Sequence, residues 1–157
     1  TLAYIFNAVA DQISFAKAVI KAKEAGFTEP DPRSDLSGMD VARKTVCLAR
    51  EMGLTVGIDK IVVESLVPKA LESLAIEDFM RQLPDHENAI QARLQAVARP
   101  GEVVQYVAQI KAPNQVTVGL KSYPKDHAMG QLRGTDNIVI FKTARYFMNN
   151  ILMTHPN

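Results

Sequence analysis

Glu102-Val103-Val104-Gln105-Tyr106-Val107-Ala108-Gln109-Ile110-Lys111, directly behind Pro100-Gly101, is where the patterning of this 157-residue chain changes from helical to extended. Valine, isoleucine and tyrosine dominate it, residues that fit a pleated, half-buried surface. From here onward strands are expected over 103–111, 116–123, 138–143 and 148–153, with turns at Pro113-Asn114 and around Pro124-Lys125-Asp126-His127. Upstream the pattern is helical. Residues 2–9 read as a short helix or a helix end. Ser14 is an N-cap for a helix reaching Ala25, Gly26 stands where that helix should stop, and Phe15, Val19 and Ala22 form its apolar stripe. Another helix, capped by Ser37 or Asp35, should run to about Met52 before Gly53. In it Val41, Thr45, Leu48 and Met52 make one stripe, widened by Ala42, Val46 and Ala49. Residues 61–67 read as a β-branched strand ending at Pro68, and 76–83 and 85–98 as two helices separated by Pro84. A helical first half and a strand-rich second half predict an α+β fold, with helices packed on one face of a mainly antiparallel sheet. One domain spanning 1–157 is expected.

Composition narrows the function classes. With 47% hydrophobic and 22% charged residues the chain falls in the ordinary globular range, able to bury about 70% of its unfolded surface. A formal charge of +1, with acids and bases interspersed, gives no face for a polyanion and no basic membrane segment. Cys47 is the only cysteine, so an internal disulfide and two-cysteine metal or redox motifs are excluded, and a reducing compartment is expected. His86, His127 and His155 fall at a helix start, a turn and the tail without ligand spacing, so no zinc site is expected. No apolar stretch approaches the roughly 20 residues of a membrane helix, and no basic segment precedes an apolar run at the start. The expected location is intracellular, not secreted. Beginning on Thr1 rather than Met, the chain is expected to be a processed form or a piece of something longer. Cys47, Met39, Met52, Met80, Met129, Met148 and Met153 are expected as core or gap-filling side chains.

The chemistry-bearing groups concentrate between Gly26 and Lys44. Pro30 and Pro32 hold φ near −65° and push Glu29 and Asp31 into extended backbone, which stiffens the turn. Asp40 and Lys44 are four apart on the following helix, so the acid and the amine can project together. Taken alone, such a pair is an exposed salt bridge contributing about 0.3–0.5 kcal/mol. Glu29 alone would be a solvated loop acid, and Gly26 a helix stop. Arg33 and Asp35 either pair across the turn or cap the next helix.

The same run, Gly26-Phe27-Thr28-Glu29-Pro30-Asp31-Pro32-Arg33-x-Asp35-Leu36-Ser37-Gly38-x-Asp40-Val41-Ala42-Arg43-Lys44, resembles the signature of homoserine dehydrogenase. Thr1-Leu2-x-Tyr4-Ile5-Phe6-Asn7 is similar to the segment that enters that family's substrate domain. Ser65-Leu66-Val67-Pro68, Phe79-Met80-x-x-Leu83-Pro84 and Gly134-x-Asp136-Asn137-Ile138, followed by Arg145-Tyr146, extend the resemblance over nearly the whole chain. They look most like the bifunctional aspartate kinase–homoserine dehydrogenase type. The resemblance implies a substrate-binding, catalytic and dimerisation domain of an enzyme that interconverts L-aspartate 4-semialdehyde and L-homoserine with NADP(H), in threonine and methionine biosynthesis. By motif position it assigns Lys44 as proton donor, Asp40 as its neighbour on the substrate, and Glu29 and Gly26 as substrate contacts. It also implies a homodimer through the strand-rich region from 102 to 153, and a cytoplasmic or plastid location.

Two departures accompany it. Ser34 stands where an acid is usual, which removes one negative charge near the substrate. The family's Rossmann domain, with its Gly-x-Gly-x-x-Gly after a strand, has no counterpart in these residues. Its second lysine, its sodium-binding loop and the Gly-rich turn expected after Arg145-Tyr146 are likewise missing from them. The isolated chain is therefore expected to bind NADP(H) poorly and to be inactive alone. Another class of function fits as well: a catalytically silent, homoserine dehydrogenase-derived structural subunit of a larger assembly, its sheet serving as an interface. Glu29, Asp40 and Lys44 favour the enzyme, whereas Ser34 and the missing cofactor flanks favour the subunit.

Overall fold

The computed structural model describes residues 1–111, 115–145 and 151–155. Its helices are α1 (Leu2–Ala10), α2 (Phe15–Glu24), α3 (Arg33–Leu36), α4 (Met39–Glu51), α5 (Ile76–Gln82) and α6 (Glu87–Val97). Its strands are β1 (Val62–Val63), β2 (Glu102–Lys111), β3 (Gln115–Pro124), β4 (Asn137–Phe141) and β5 (Ile151–His155). The α+β class holds. The sheet is mixed, in the order β1-β3-β2: β2 and β3 form a long antiparallel ladder from Glu102↔Pro124 to Lys111↔Gln115, and β1 adds a parallel pair at Val62↔Thr117. β4 and β5 pair antiparallel in a separate two-stranded sheet. The turn expected at Pro113-Asn114 and the first half of the strand expected over 148–153 lie outside the described residues.

Side-chain alternation decides which sheet face the helices cover. Val116, Val118 and Leu120 are buried on β3, and Val104 and Tyr106 on β2 pack toward the main core. That core contains Ile5, Phe6, Phe15, Val19, Leu36, Leu66, Leu71, Phe79 and Leu83. Phe6 is its hub, edge-on to Phe15 and stacked on Tyr106, each at 6.4 Å between ring centroids.

The strand expected over 61–67 pairs only at Val62 and Val63. Glu64 still donates its N–H to the Val118 carbonyl, but its carboxylate then accepts from Leu120 N at 3.0 Å, so a side chain takes up the next ladder donor. The chain turns away there, and Leu66 N bonds the Leu36 carbonyl. Pro84 does lie between two helices, α5 and α6. It falls within the 3-10 turn Leu83–His86 that joins α5 to α6, in a first-turn position where its missing N–H costs nothing.

The helix expected from Ser37 or Asp35 to Met52 is two helices. A single turn, α3, precedes Gly38, whose φ of 73° opens α4. Neither expected cap is the N-cap residue. Ser37 Oγ does accept from Met39 N at 3.3 Å, while the Asp35 carboxylate is spent on Glu29 N. The buried face of α4 is Ala42, Thr45, Val46 and Ala49. Leu48 and Met52, read from their spacing as core, are 40% and 55% exposed, and Cys47 is exposed rather than a core residue. The alanines let α4 approach the sheet closely, and that rotation leaves the larger side chains at the rim.

Candidate active site

α2 delivers the first half of the site. Ser14 Oγ accepts from Lys17 N, and Glu87 of α6 reaches across to accept from Phe15 N at 2.8 Å and Ala16 N at 2.9 Å, so the helix start is held by two elements. At its end Gly26, with φ 73°, turns the chain out, and Phe27 N returns to the Ala22 carbonyl. Gly26 is exposed and no other atom crowds it within 4 Å. Phe27 packs on Tyr4 at 5.0 Å, and the Thr1 hydroxyl donates to the Phe27 carbonyl, tying this turn to α1.

The Pro-rich turn is then held by two carboxylates. Asp35 accepts from Glu29 N at 2.9 Å. Asp31 accepts a fork from Arg33, with Nη2 at 2.7 Å and Nε at 3.0 Å. Arg33 Nη1 also donates to the carbonyls of Leu71, Glu72 and Leu74, and its guanidinium lies 5.4 Å from the Phe79 ring centroid. The sequence left Arg33 and Asp35 to pair with each other or to cap; instead Arg33 pairs with Asp31 and Asp35 holds the Glu29 backbone. Bonding to Arg33 keeps the Asp31 carboxyl below the usual carboxylate range. Glu29 itself is exposed, its carboxylate unbonded among the described residues.

α4 supplies the second half. Lys44 Nζ lies 2.8 Å from Asp40 Oδ2, with the two side chains 75% and 60% exposed. The pair predicted from spacing therefore forms, on the open surface. The Thr1 hydroxyl ties the start of α1 to the turn before Glu29, and α3, which holds Glu29 N through Asp35, leads through Gly38 into α4.

Neither principal cleft takes in these side chains. One of about 370 Å³ is lined by Asp31, Arg33, Ser34, Ser37, Ser65, Val67 and Glu72. A larger one of about 570 Å³ lies between the 65–70 loop and α6. Ser34 lines the smaller cleft. Among the described residues no group of three or more His, Cys, Asp or Glu could hold a metal ion. No helix among them is long and apolar enough to cross a membrane.

Two residues near the site went unread in the sequence. Gly38 opens α4, and the Tyr106 hydroxyl, donated to the Glu64 carbonyl at 2.7 Å, lies against it. Burial, with the Glu64 charge adding, pushes the Tyr106 phenol up to about 12. A glycine just before a periodic apolar run was the available signal for Gly38; nothing local pointed to Tyr106.

The homoserine dehydrogenase family model matches residues 1–155. The Arabidopsis thaliana bifunctional aspartokinase/homoserine dehydrogenase 1, chloroplastic, is 45% identical over 158 aligned positions, covering 99% of this chain and 17% of that protein. The homoserine dehydrogenase of Emericella nidulans is 41% identical, covering 98% of this chain and 45% of that protein. The crystal structure of a Candida auris protein of unknown function superposes with a TM-score of 0.89 at 39% identity, over 98% of this chain and 45% of that one. The chain thus spans less than half the length of each. Matched almost from end to end, and carrying the signature from Gly26 to Lys44, the chain belongs to the homoserine dehydrogenase family.

Proposed function

We propose that these residues form one domain, 1–157, the substrate-binding and catalytic part of an enzyme that interconverts L-aspartate 4-semialdehyde and L-homoserine with NADP(H), in threonine and methionine biosynthesis. The observation that carries the reading is the Asp40–Lys44 pair, 2.8 Å apart beside the braced Glu29 turn. Reduction of an aldehyde puts negative charge on the carbonyl oxygen. An ammonium at Lys44 donates its proton there, and in the reverse direction the neutral amine takes the hydroxyl proton. Asp40, 2.8 Å away, holds Nζ in place. Glu29, unbonded and facing solvent, is free to accept charge-assisted hydrogen bonds from the substrate ammonium group, with Gly26 giving the close approach.

NADP(H) supplies the hydride in family enzymes. A pyrophosphate is held where a Gly-rich turn leads from a strand into a helix N-terminus. Among the described residues the one parallel pair, β1 with β3, has no such turn, so these residues do not fit the cofactor.

The same proposal includes a homodimer through the sheet face away from the helices. There Gln109 donates to the Tyr123 hydroxyl at 3.2 Å and accepts from Lys121, whose amine burial has pushed below its usual range. Of the plastid and cytoplasmic locations, the name chloroplastic carried by the Arabidopsis relative supports the plastid. A second reading, a catalytically silent structural subunit, is favoured by the 75% exposure of Lys44 and by Ser34.

The deciding experiment is NADPH oxidation with aspartate semialdehyde by the protein expressed at the full length its gene encodes. Lys44→Ala should lower kcat by about 100-fold or more, in the range of a lost general acid. Glu29→Gln should act mainly on KM. Turnover by Lys44→Ala at the wild-type rate would overturn the assignment. Residues 1–157 alone should show no Lys44-dependent turnover.

A further inference from the structure

We infer that Tyr106 is a positioning residue for the helix that carries Asp40 and Lys44, acting through Gly38; this rests on the reading of Lys44 as proton donor. β2 places the Tyr106 ring on the helix-covered side of the sheet, stacked on Phe6 at 6.4 Å with an interplanar angle of 21°. Phe6 is 1% exposed and cannot yield. The hydroxyl end is fixed too, donating at 2.7 Å to the carbonyl of Glu64. Glu64 is itself held by Leu120 N at 3.0 Å and Arg93 Nη2 at 2.8 Å. The ring is therefore clamped at both ends.

Gly38 rests on that clamped hydroxyl. A Cβ at position 38 would overlap Tyr106 Oη and lie 3.0 Å from Cζ and 3.1 Å from Val63 Cγ1. Two independent constraints thus call for glycine: the left-handed φ of 73°, and the space that the hydroxyl fills. Asp40 is in the first turn after Gly38, and Lys44 lies about 9 Å along the axis at 1.5 Å per residue. Over that length a tilt of about 6° at Gly38 moves the Lys44 backbone by about 1 Å. A misplacement of that size is enough to cost on the order of 100-fold in rate. The tyrosine touches no reacting atom; it sets where the helix starts and so where the amine ends.

The test is a double-mutant cycle of Tyr106→Phe and Gly38→Ala in the full-length protein, read as kcat and KM per folded active site, with the unfolding midpoint measured alongside. Tyr106→Phe keeps the ring and removes the stop. It should lower kcat about tenfold while KM for homoserine stays within about twofold. Gly38→Ala should cost about 100-fold in kcat with the tyrosine present and markedly less in the Tyr106→Phe background, because the overlapped oxygen is gone. A purely structural role would lower the unfolding midpoint and leave kcat per folded site unchanged. Full kcat in Tyr106→Phe overturns the inference, as does simple additivity of the two changes in log kcat. If Gly38→Ala does not fold, kcat of Tyr106→Phe decides alone. Lys44→Ala run in parallel separates the two readings: inactive Lys44→Ala with a fully active Tyr106→Phe sinks only the positioning role, whereas a fully active Lys44→Ala sinks both.

Discussion

Replacing Glu87 by alanine should unravel the start of α2 from a distance of more than 70 residues in sequence. The N–H groups of Phe15 and Ala16 open a helix and have no helical carbonyl to bond. Both are nearly completely buried residues, 0% and 2% exposed, so water cannot readily replace a lost acceptor. Glu87 serves both, through Oε1 at 2.8 Å and Oε2 at 2.9 Å, and Gln91 Nε2 orients the carboxylate at 2.9 Å. Hydrogen bonds to a charged group contribute about 1.5–3 kcal/mol each, and a negative charge at a helix N-terminus adds about 0.3–1 kcal/mol. The carboxylate is only partly buried, so the lower ends apply, and the expected loss is about 3–4 kcal/mol. In a domain of this size that lowers the melting temperature by roughly 6–16 °C. Glu87→Gln keeps the shape with one acceptor atom and turns a donor on the other N–H, so it should fall between, at about 2 kcal/mol. Urea unfolding followed by far-UV circular dichroism at neutral pH measures all three. Glu87→Ala within 0.5 kcal/mol of the parent would falsify the claim that the interhelix cap, rather than the 3.4 Å bond to Ser14, holds α2.

The turn that carries Glu29 gives two more expectations. Arg33→Lys keeps the charge but loses the fork to Asp31 and most of the three-carbonyl contact, so urea unfolding should show a loss of about 2–4 kcal/mol; an unchanged midpoint would contradict the anchoring role. Asp31 titrates lower in the folded protein than its ordinary 3.8, so its stabilising contribution is present above pH 3.8 and is lost as pH falls through the lower folded value. Melting temperature should therefore fall more steeply in the parent than in Asp31→Asn below about pH 4; parallel curves would refute the coupling.

How much of this was legible follows from the range of the forces involved. Local signals served well where the deciding contact is local: Ser14 and Gly26 bound α2, and the Asp40–Lys44 spacing gives the ion pair that forms. The meaning of that pair came from its resemblance to a family, because exposure and spacing alone describe any surface salt bridge. Reading failed where a distant element chose between local options of similar merit. Ser37 and Asp35 are better caps by propensity than Gly38, yet the Tyr106 hydroxyl, 68 positions away, fills the space a side chain would need. Leu48 and Met52 are more apolar than Ala42 and Ala49, yet close approach to the sheet selects the alanines. Arg33 lay two residues from either acid, and Asp35 was already committed to Glu29 N. In each case the residues are plain in the sequence, while their arrangement is set by contacts that no local pattern records. On the proposed reading Lys44 must be aimed as well as present, and the tyrosine hydroxyl against Gly38, bonded to the Glu64 carbonyl, is what fixes the start of its helix.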